Sequence, residues 1–455
     1  MSLALPKTKA EQALSHNFEA VARKLPGSDP VAGARKAAIG AFAALGLPHR
    51  RLEQWKWTDL RGAMKEALPP AVLAGAGATA AEIDAALAEL ARLDCHRLVF
   101  VDGSYRAELS APVLPEGLEV ASLARALAED GGFDLVQTAG PADDAVVALN
   151  TAFMTDGAVV RVAEGVALDK PLLLVFARAA DGGRLVTTRN VLRLDDGAGA
   201  TVIEAHVALA GASRGQANAL SRVAVGGGAR LAHIQCLVAG PAAAHLGNCF
   251  VTIGRGATYR AFHLTAGTGL ARNTVLATFA GEGAKLDISG TFLGRGGEHI
   301  DTTLLVDHAV PQCESRELFK GVLADRAHGV FQGKVVVRPN AQKSDGKQMA
   351  QALMLSQDAE FDSKPELEIH ADDVVCGHGS TAAELDAEQL FYLRARGIPL
   401  EEARALLIES FIGEAIDKVE DEAVREALGA VAKARLAQLS VSGGAATRDS
   451  SGGRS

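Results

Sequence analysis

Residues 370–381 read HADDVVCGHGST and place a thiol and an imidazole two positions apart, at Cys376 and His378. Thiolate and imidazole are soft to borderline ligands that suit iron or an iron–sulfur cluster, but two side chains are too few to complete such a site. Simple burial is the alternative, because free cysteine is among the most buried residue types and an inward histidine is usually hydrogen-bonded in a core. The element that carries the pair therefore decides between these interpretations.

A second group of polar side chains lies in HIDTTLLVDH, where His299 and His308 enclose Asp301 and Asp307. We interpret these as polar groups at turns and strand ends, because no thiol or third ligand follows at a spacing typical of metal sites. We interpret Cys313, in VPQCESRE, in the same way, as a structural residue rather than a metal ligand.

Motifs of the common enzyme classes are missing from the sequence. The string GVFQGKV at 329–335 is one residue short of a phosphate-binding loop and has no Ser or Thr after the lysine. No GxSxG, HExxH or GxGxxG with a following acidic residue occurs. We expect that this chain binds no nucleotide and that any ATP is used by a partner.

Composition excludes several other classes. The chain has 455 residues, 48% hydrophobic and 22% charged, with a formal charge of −9 and no block of Lys or Arg. This is the balance of a globular protein, and it predicts neither nucleic acid nor an anionic membrane as partner. The N-terminus lacks the apolar core of a signal peptide, so we expect a cytoplasmic protein. Five scattered cysteines without a CxxC pair favour reduced thiols.

A repeated unit organises the middle of the chain. Four strand–turn–strand segments contain Gly-Ala pairs at 197, 228, 256 and 283, spaced 31, 28 and 27 residues apart. This period suits one coil of a β-solenoid, in which each coil buries its inner face against its neighbours. Weaker copies follow at 321–337 and 367–381. The segment HADDVVCGHGST therefore belongs to the last recognisable coil.

Alignment of the repeats predicts where Cys376 and His378 point. Cys376 falls opposite Leu231, Tyr259 and Leu286, and His378 opposite His233, Ala261 and Ile288. Strand residues two apart share a face, so both side chains should point inward. A terminal coil has no next coil to cover it, and its inner face becomes a cap contact or a binding surface. Any complete metal site there needs ligands from another chain.

These patterns predict a mainly β protein with a parallel β-helix core between helical ends. The expected parts are a helical N-terminal domain (1–96), a mixed α/β connecting region (97–156), the β-helix (157–383), a helical C-terminal domain (384–440) and a disordered tail (441–455). In the first part, TAAEIDAALAELARL places Ile83, Leu87, Leu90 and Leu93 on one apolar stripe.

The strings KPELEIHADDV, CGHGST and QLFYLRARGI, within 319–398, resemble the SufB/SufD family of Suf iron–sulfur cluster assembly proteins, and within it the SufD branch. RRLEQWKWTDL near the N-terminus resembles the same family's N-terminal domain, so the similarity covers nearly the whole chain. The resemblance implies a right-handed parallel β-helix flanked by helical domains. It implies a scaffold subunit without catalysis of its own.

The resemblance also implies partners and site residues. A SufD-type chain pairs with its paralogue SufB through the β-helix ends, and His378 corresponds to a histidine that helps to build the nascent cluster or bind iron there. Cys376 is a candidate by proximity. The C-terminal helices would bind the SufC ATPase, and an isolated chain could form a homodimer. The residues expected at the SufC contact are Phe391, Leu406, Leu407, Phe411 and Ile412.

Three alternatives remain open at this stage. A SufB-like paralogue would hold the cluster itself, although the CGAHTFPY-like pattern of that branch is absent. A β-helix enzyme acting on polysaccharide would need paired acids and ring-stacking surfaces, and only 4% of the residues are aromatic. A purely structural protein would tolerate volume-conserving replacement of both Cys376 and His378.

Overall fold

The structure is a computed structural model, and it describes residues 6–72, 77–110, 114–129, 132–137, 141, 143–179, 183–212 and 214–442. Most of the tail predicted at 441–455 lies outside the described residues. Its first two positions continue the last helix, which ends at Ser442.

Helices occupy both ends of the described chain and strands its middle. The α-helices are α1 (Lys9–Val21), α2 (Asp29–Leu45), α3 (Leu60–Ala63), α4 (Ala80–Leu87), α5 (Leu123–Ala126), α6 (Ala145–Phe153), α7 (Ala387–Ala395), α8 (Leu400–Ile416) and α9 (Glu422–Ser442). The first eight strands are β1 (His96–Val101), β2 (Ser104–Tyr105), β3 (Leu118–Ser122), β4 (Ala158–Val162), β5 (Leu172–Arg178), β6 (Leu185–Leu194), β7 (Gly199–Ala208) and β8 (Arg214–Val225). The remaining strands are β9 (Arg230–Ile253), β10 (Thr258–Phe279), β11 (Lys285–Gly294), β12 (His299–His308), β13 (Glu314–Leu323), β14 (His328–Val337), β15 (Asp345–Met354), β16 (Glu360–Ile369) and β17 (Val375–Ala383).

The long strands form two parallel sheets that face each other. Sheet A contains β1, β5, β7, the first half of β9, the first half of β10, β11, β13, β15 and β17. Sheet B contains β4, β6, β8, the second halves of β9 and β10, β12, β14 and β16. The chain alternates between the sheets and makes about eight turns of a β-solenoid. The predicted mainly β architecture with helices at both ends is confirmed.

The turns that lead from sheet B to sheet A explain the Gly-Ala repeat. Gly197, Gly228, Gly256 and Gly283 all have φ between 61° and 69°, a conformation that favours glycine. Later turns at the same corner use Gln312 and Lys343 with φ of 62° and 61°. The glycine signal is therefore lost although the turn is kept.

The copy predicted at 321–337 does not lie at this corner. Once the glycine is lost, the sequence no longer shows where the equivalent turn is, and this segment matches the repeat in its place. It spans the opposite corner, where the chain passes from β13 to β14 through Asp325, which has φ of 57°. The next copy at the Gly-Ala corner is the unrecognised turn at Gln312.

The interior between the sheets is mostly apolar but contains a buried ion pair. Glu204 and His233 are both about 1% exposed, and His233 Nε2 lies 2.9 Å from Glu204 Oε1. Burial opposes both charges, but hydrogen bonds from His206 and His233 hold the pKa of Glu204 well below its usual range. Against the same burial, hydrogen bonds to Cys249 and Glu204 raise the pKa of His233 to about 10. Both residues are therefore charged at neutral pH.

Capping residues in the sequence set where the N-terminal helices begin. Thr8 and Glu11 form a reciprocal capping box at the start of α1, and Thr79 and Glu82 form another at α4. The predicted apolar stripe of the latter segment is confirmed at three positions, since Ile83, Leu87 and Leu90 are each 1% exposed. These three side chains pack in one cluster with the outer face of sheet A and with helices α8 and α9.

Candidate functional site

The candidate site is the last coil of the β-helix, which ends in β17. Within the described residues, β17 pairs only with β15 and β16 only with β14. The outer edges of both strands therefore carry backbone groups without a ladder partner. Val375, at the start of β17, is 62% exposed, and Ile369, at the end of β16, is 42% exposed.

The predicted register of Cys376 and His378 is confirmed by the strand pairing. Cys376 pairs with Gly346, and the same column continues through Ser315, Leu286, Tyr259 and Leu231. His378 pairs with Gln348, and its column continues through Glu317, Ile288, Ala261 and His233. The two side chains therefore share the inward face of the coil.

Cys376 and His378 differ in how far they are covered. Cys376 is half-buried and packs against the apolar interior. Burial raises the pKa of its thiol, and the charges of Asp345 and Glu317 add to this effect. His378 is exposed at the end of the coil. The open face therefore offers an accessible imidazole beside a thiol that is protonated by default, which a metal ion would have to deprotonate before ligation.

Gln348 lies directly beneath His378, and Glu317 lies one strand further along the same column. Glu317 is 2% exposed and Gln348 is 3% exposed, and neither side chain forms a hydrogen bond of normal geometry to the described part of the chain. Burial raises the pKa of Glu317 to about 8, against the lowering effects of Ser315 and Arg316. Most of this carboxyl is therefore neutral at pH 7. The interior beneath the open coil is polar and incompletely satisfied.

Sequence reasoning missed Glu317 and Gln348 because the repeat could not be followed into their coils. Their strands begin after the turns at Gln312 and Lys343, which have lost the Gly-Ala signal. A search for turns spaced about 30 residues apart, without requiring glycine, would have placed both residues in the column of His378.

The described residues contain no group of three or more His, Cys, Asp or Glu side chains arranged to hold a metal ion. Cys376 and His378 can supply at most two ligands, whereas a cluster iron needs four. Cys313 is 1% exposed, and its thiol contacts the carbonyl oxygens of Gly281 and Pro311. The structural interpretation of Cys313 is consistent with this position.

A second surface lies on the C-terminal helices. Phe391 on α7 is 74% exposed, and Leu406 on α8 is 43% exposed. Leu407 is half-buried and lines a groove between these helices, together with Tyr392 and Leu393. Large apolar side chains exposed together on neighbouring helices are typical of a protein-binding surface. Three of the five residues expected at a partner contact are therefore available there.

The other two face the β-helix instead. Ile412 is 2% exposed and belongs to the cluster between α8 and sheet A, so it is not available to a partner. Phe411 is half-buried against the same cluster, and the Nζ atom of Lys320 lies 4.4 Å above its ring. The expectation for Ile412 is corrected because the apolar band on α8 has two sides, of which one holds the helix to the sheet.

None of the described helices is both long and apolar enough to cross a bilayer.

Comparison with known proteins identifies the class to which this fold and site belong. Residues 176–411 match the family model for the SufBD core domain of Suf-system iron–sulfur cluster assembly proteins, and residues 9–174 match the SufBD N-terminal region. The chain belongs to the SufBD family of iron–sulfur cluster assembly proteins.

Within the family, the chain is similar to SufD proteins. It is 33% identical to the iron–sulfur cluster assembly protein SufD of Escherichia coli, over 84% of this chain and 87% of that protein. It is 31% identical to a SufBD family protein of Synechocystis, over 85% of this chain and 86% of that protein. Over 34% of this chain and 36% of that protein, it is also 33% identical to SufD of Bacillus subtilis.

Proposed function

We propose that this chain is a scaffold subunit that pairs with a SufB-type paralogue through its open coil and contributes His378 as a ligand to the nascent cluster. In this proposal the iron and sulfide are cargo that is held transiently and shared between the two chains. Chemical work is done elsewhere, by a SufC-type ATPase bound to the C-terminal helices.

The observation that carries the proposal is the incomplete site at the end of the β-helix. His378 is exposed, Cys376 is half-buried beside it, and both lie on the inward face of a coil that no further strand of the described chain covers. An exposed strand edge readily pairs with a strand of another chain, which would bring new side chains over His378. A site shared with another chain would therefore pair the open strand edge and supply the missing ligands.

The ATPase contact is supported by the second surface. Phe391, Leu406 and Leu407 provide exposed or partly exposed apolar side chains beside a groove. Phe411 and Ile412 hold α8 against sheet A, so movement of the helix would be transmitted to the β-helix through them. The chain would therefore connect the ATPase to the coil stack mechanically.

Family membership and an aromatic content of only 4% favour this role over polysaccharide cleavage. A homodimer of the isolated chain through the same open coil stays compatible with the proposal, because the edge that would pair with a paralogue can also pair with a second copy.

The test is to co-express the chain with SufB-type and SufC-type partners and to measure iron and acid-labile sulfide anaerobically. His378→Ala should lower both contents several-fold while leaving the subunit ratio unchanged. His370→Ala, a change of an exposed histidine in the turn between β16 and β17, is the matched control and should have no effect. Undiminished iron and sulfide in the His378→Ala complex would refute the assigned role.

A further inference from the structure

His299 and His328 face each other on the outer surface of sheet B, whereas His378 lies on the inward face of sheet A. They are register partners on β12 and β14, and their Nδ1 atoms lie 3.2 Å apart. Their rings meet edge to face at 80°. His308, the other histidine of HIDTTLLVDH, is buried at the far end of β12, where its Nε2 atom lies 3.1 Å from the hydroxyl oxygen of Ser315.

The second nitrogen of each ring is already engaged. His328 Nε2 lies 2.8 Å from Asp362 Oδ2. A carboxylate can only accept, so this nitrogen carries a hydrogen and donates. His299 Nε2 lies 2.8 Å from the hydroxyl of Thr58. That hydroxyl gives its single hydrogen to the carboxylate of Asp301, so the nitrogen of His299 must donate as well.

These partners fix where the lone pairs are. A neutral histidine that carries its hydrogen on Nε2 has an unprotonated Nδ1, so two neutral rings would direct two nitrogen lone pairs at each other across 3.2 Å. Such a contact is repulsive unless a positive centre lies between the atoms. The positive centre is either an extra proton or a metal ion.

The geometry also suits a metal ion. Zinc–nitrogen bonds of about 2.0–2.1 Å at a tetrahedral angle separate two ligand nitrogens by about 3.3–3.4 Å. Histidine ligands usually donate their other N–H to a carboxylate or another oxygen, which is the role that Asp362 and Thr58 have here. The side chains of His328 and Asp362 are 22% and 38% exposed, so water can reach the remaining positions.

We propose that His299 and His328 form a two-histidine site for a divalent transition cation of the zinc, cobalt or iron(II) class. Water completes the coordination, since no third His, Cys, Asp or Glu joins the pair within the described part of the chain. Because Thr58 belongs to the N-terminal segment, a bound ion would also tie that segment to two neighbouring coils. The site is separate from His378 and goes beyond the proposed scaffold function.

The test is titration of the purified, metal-free full-length chain with Co²⁺ alone, followed by visible absorption and by the thermal midpoint. Wild-type protein should bind one Co²⁺ with nitrogen-ligand bands and gain thermal stability. His328→Ala should weaken binding at least tenfold, and Asp362→Asn should weaken it about tenfold through the lost orientation of the ring. His328→Gln replaces the alanine variant if the latter does not fold.

Two control variants separate this site from the others. His370→Ala and His378→Ala should bind Co²⁺ as wild type does. Equal Co²⁺ affinity in wild type and the His328 variants, or no Co²⁺ bound by wild type, would overturn the proposal. Loss of binding in His378→Ala alone would place the ion at the open coil, which overturns this inference and leaves the scaffold proposal standing.

Discussion

Glu317 and His378 lie in one inward-facing column of sheet A, two strands apart, with Gln348 between them. The column passes from a fully buried acid to an exposed imidazole over three successive coils. The last coils of the β-helix thus differ from the two coils directly before them, whose equivalent positions are Ile288 and Ala261.

Replacing Glu317 by Gln should change how stability depends on pH. The pKa of Glu317 is about 8 in the folded chain, above the ordinary value of 4.5. Its favourable contribution is therefore complete below about pH 4.5 and is lost as the pH rises to about 8, by at most about 1.4 kcal/mol per pH unit. In urea unfolding, the free energy of unfolding of Glu317→Gln should rise relative to that of wild type over this pH range.

Glu314→Gln, on the outward face of the same strand, is the control and should parallel wild type. Equal slopes for wild type and Glu317→Gln would show that the carboxyl is ionised inside the folded chain.

His233→Gln should destabilise the β-helix strongly, because it leaves the charge of Glu204 buried without its partner. Loss of one member of a buried ion pair costs about 3–5 kcal/mol. The pKa of His233 is raised to about 10, so its contribution is complete below about pH 6.5 and is lost as the pH rises to 10. Wild type should therefore lose stability over this alkaline range more steeply than the variant does.

The double variant Glu204→Gln with His233→Gln is the control for this pair. It should lose less stability than His233→Gln alone, since no charge is left buried. A single variant within about 1 kcal/mol of wild type would contradict the ion pair.

Leu406→Asp should abolish binding of a SufC-type ATPase without unfolding the chain. Leu406 is 43% exposed on α8, so a charge there costs little in the isolated protein but much in an apolar contact. A pull-down with the ATPase measures this directly. Leu45→Asp changes a similarly exposed leucine (46%) at the end of α2 and should leave binding intact. Normal binding by Leu406→Asp would exclude this part of α8 from the contact.

Lys320→Met should loosen α8 from sheet A. The side chain of Lys320 is 3% exposed, pairs with Glu414 and lies over the ring of Phe411. Loss of the ion pair and of the cation–π contact should lower stability by about 1–2 kcal/mol. Hydrogen exchange should increase in α8 but not in β13. Lys347→Met on the exposed face of β15 is the control. Equal hydrogen exchange of α8 in the two variants would show that Lys320 does not hold α8 against sheet A.

The regular coils could be predicted from sequence because glycine is nearly obligatory at their turns. Gly228 and Gly256 set a period that also predicted the register of Cys376 and His378, three coils beyond the last Gly-Ala pair at Gly283. Position along a strand then determined which face each side chain occupies. The same logic failed at Gln312 and Lys343, where non-glycine residues adopt the turn, so the polar column beneath His378 stayed hidden.

Surface contacts were harder to predict than strand register. The family resemblance implied a partner surface on α8, but helical periodicity does not show which side of an apolar band meets the protein's own core. Ile412 turned out to be buried against sheet A, whereas Leu406 is exposed. His299 and His328 lie on different coils, so their contact does not follow from spacing along the chain. Thr58, which bonds His299, is 241 residues earlier in the sequence.

In the proposed complex, His378 becomes a cluster ligand when a paralogue covers the open coil. The most direct measurement is pulsed electron paramagnetic resonance on the three-subunit complex, with only this chain labelled with ¹⁵N-histidine and its cluster reduced to a paramagnetic state. The wild-type complex should show a ¹⁵N coupling that disappears in His378→Ala and persists in His370→Ala. No ¹⁵N coupling in the wild-type complex, or a coupling that survives in His378→Ala, would contradict it.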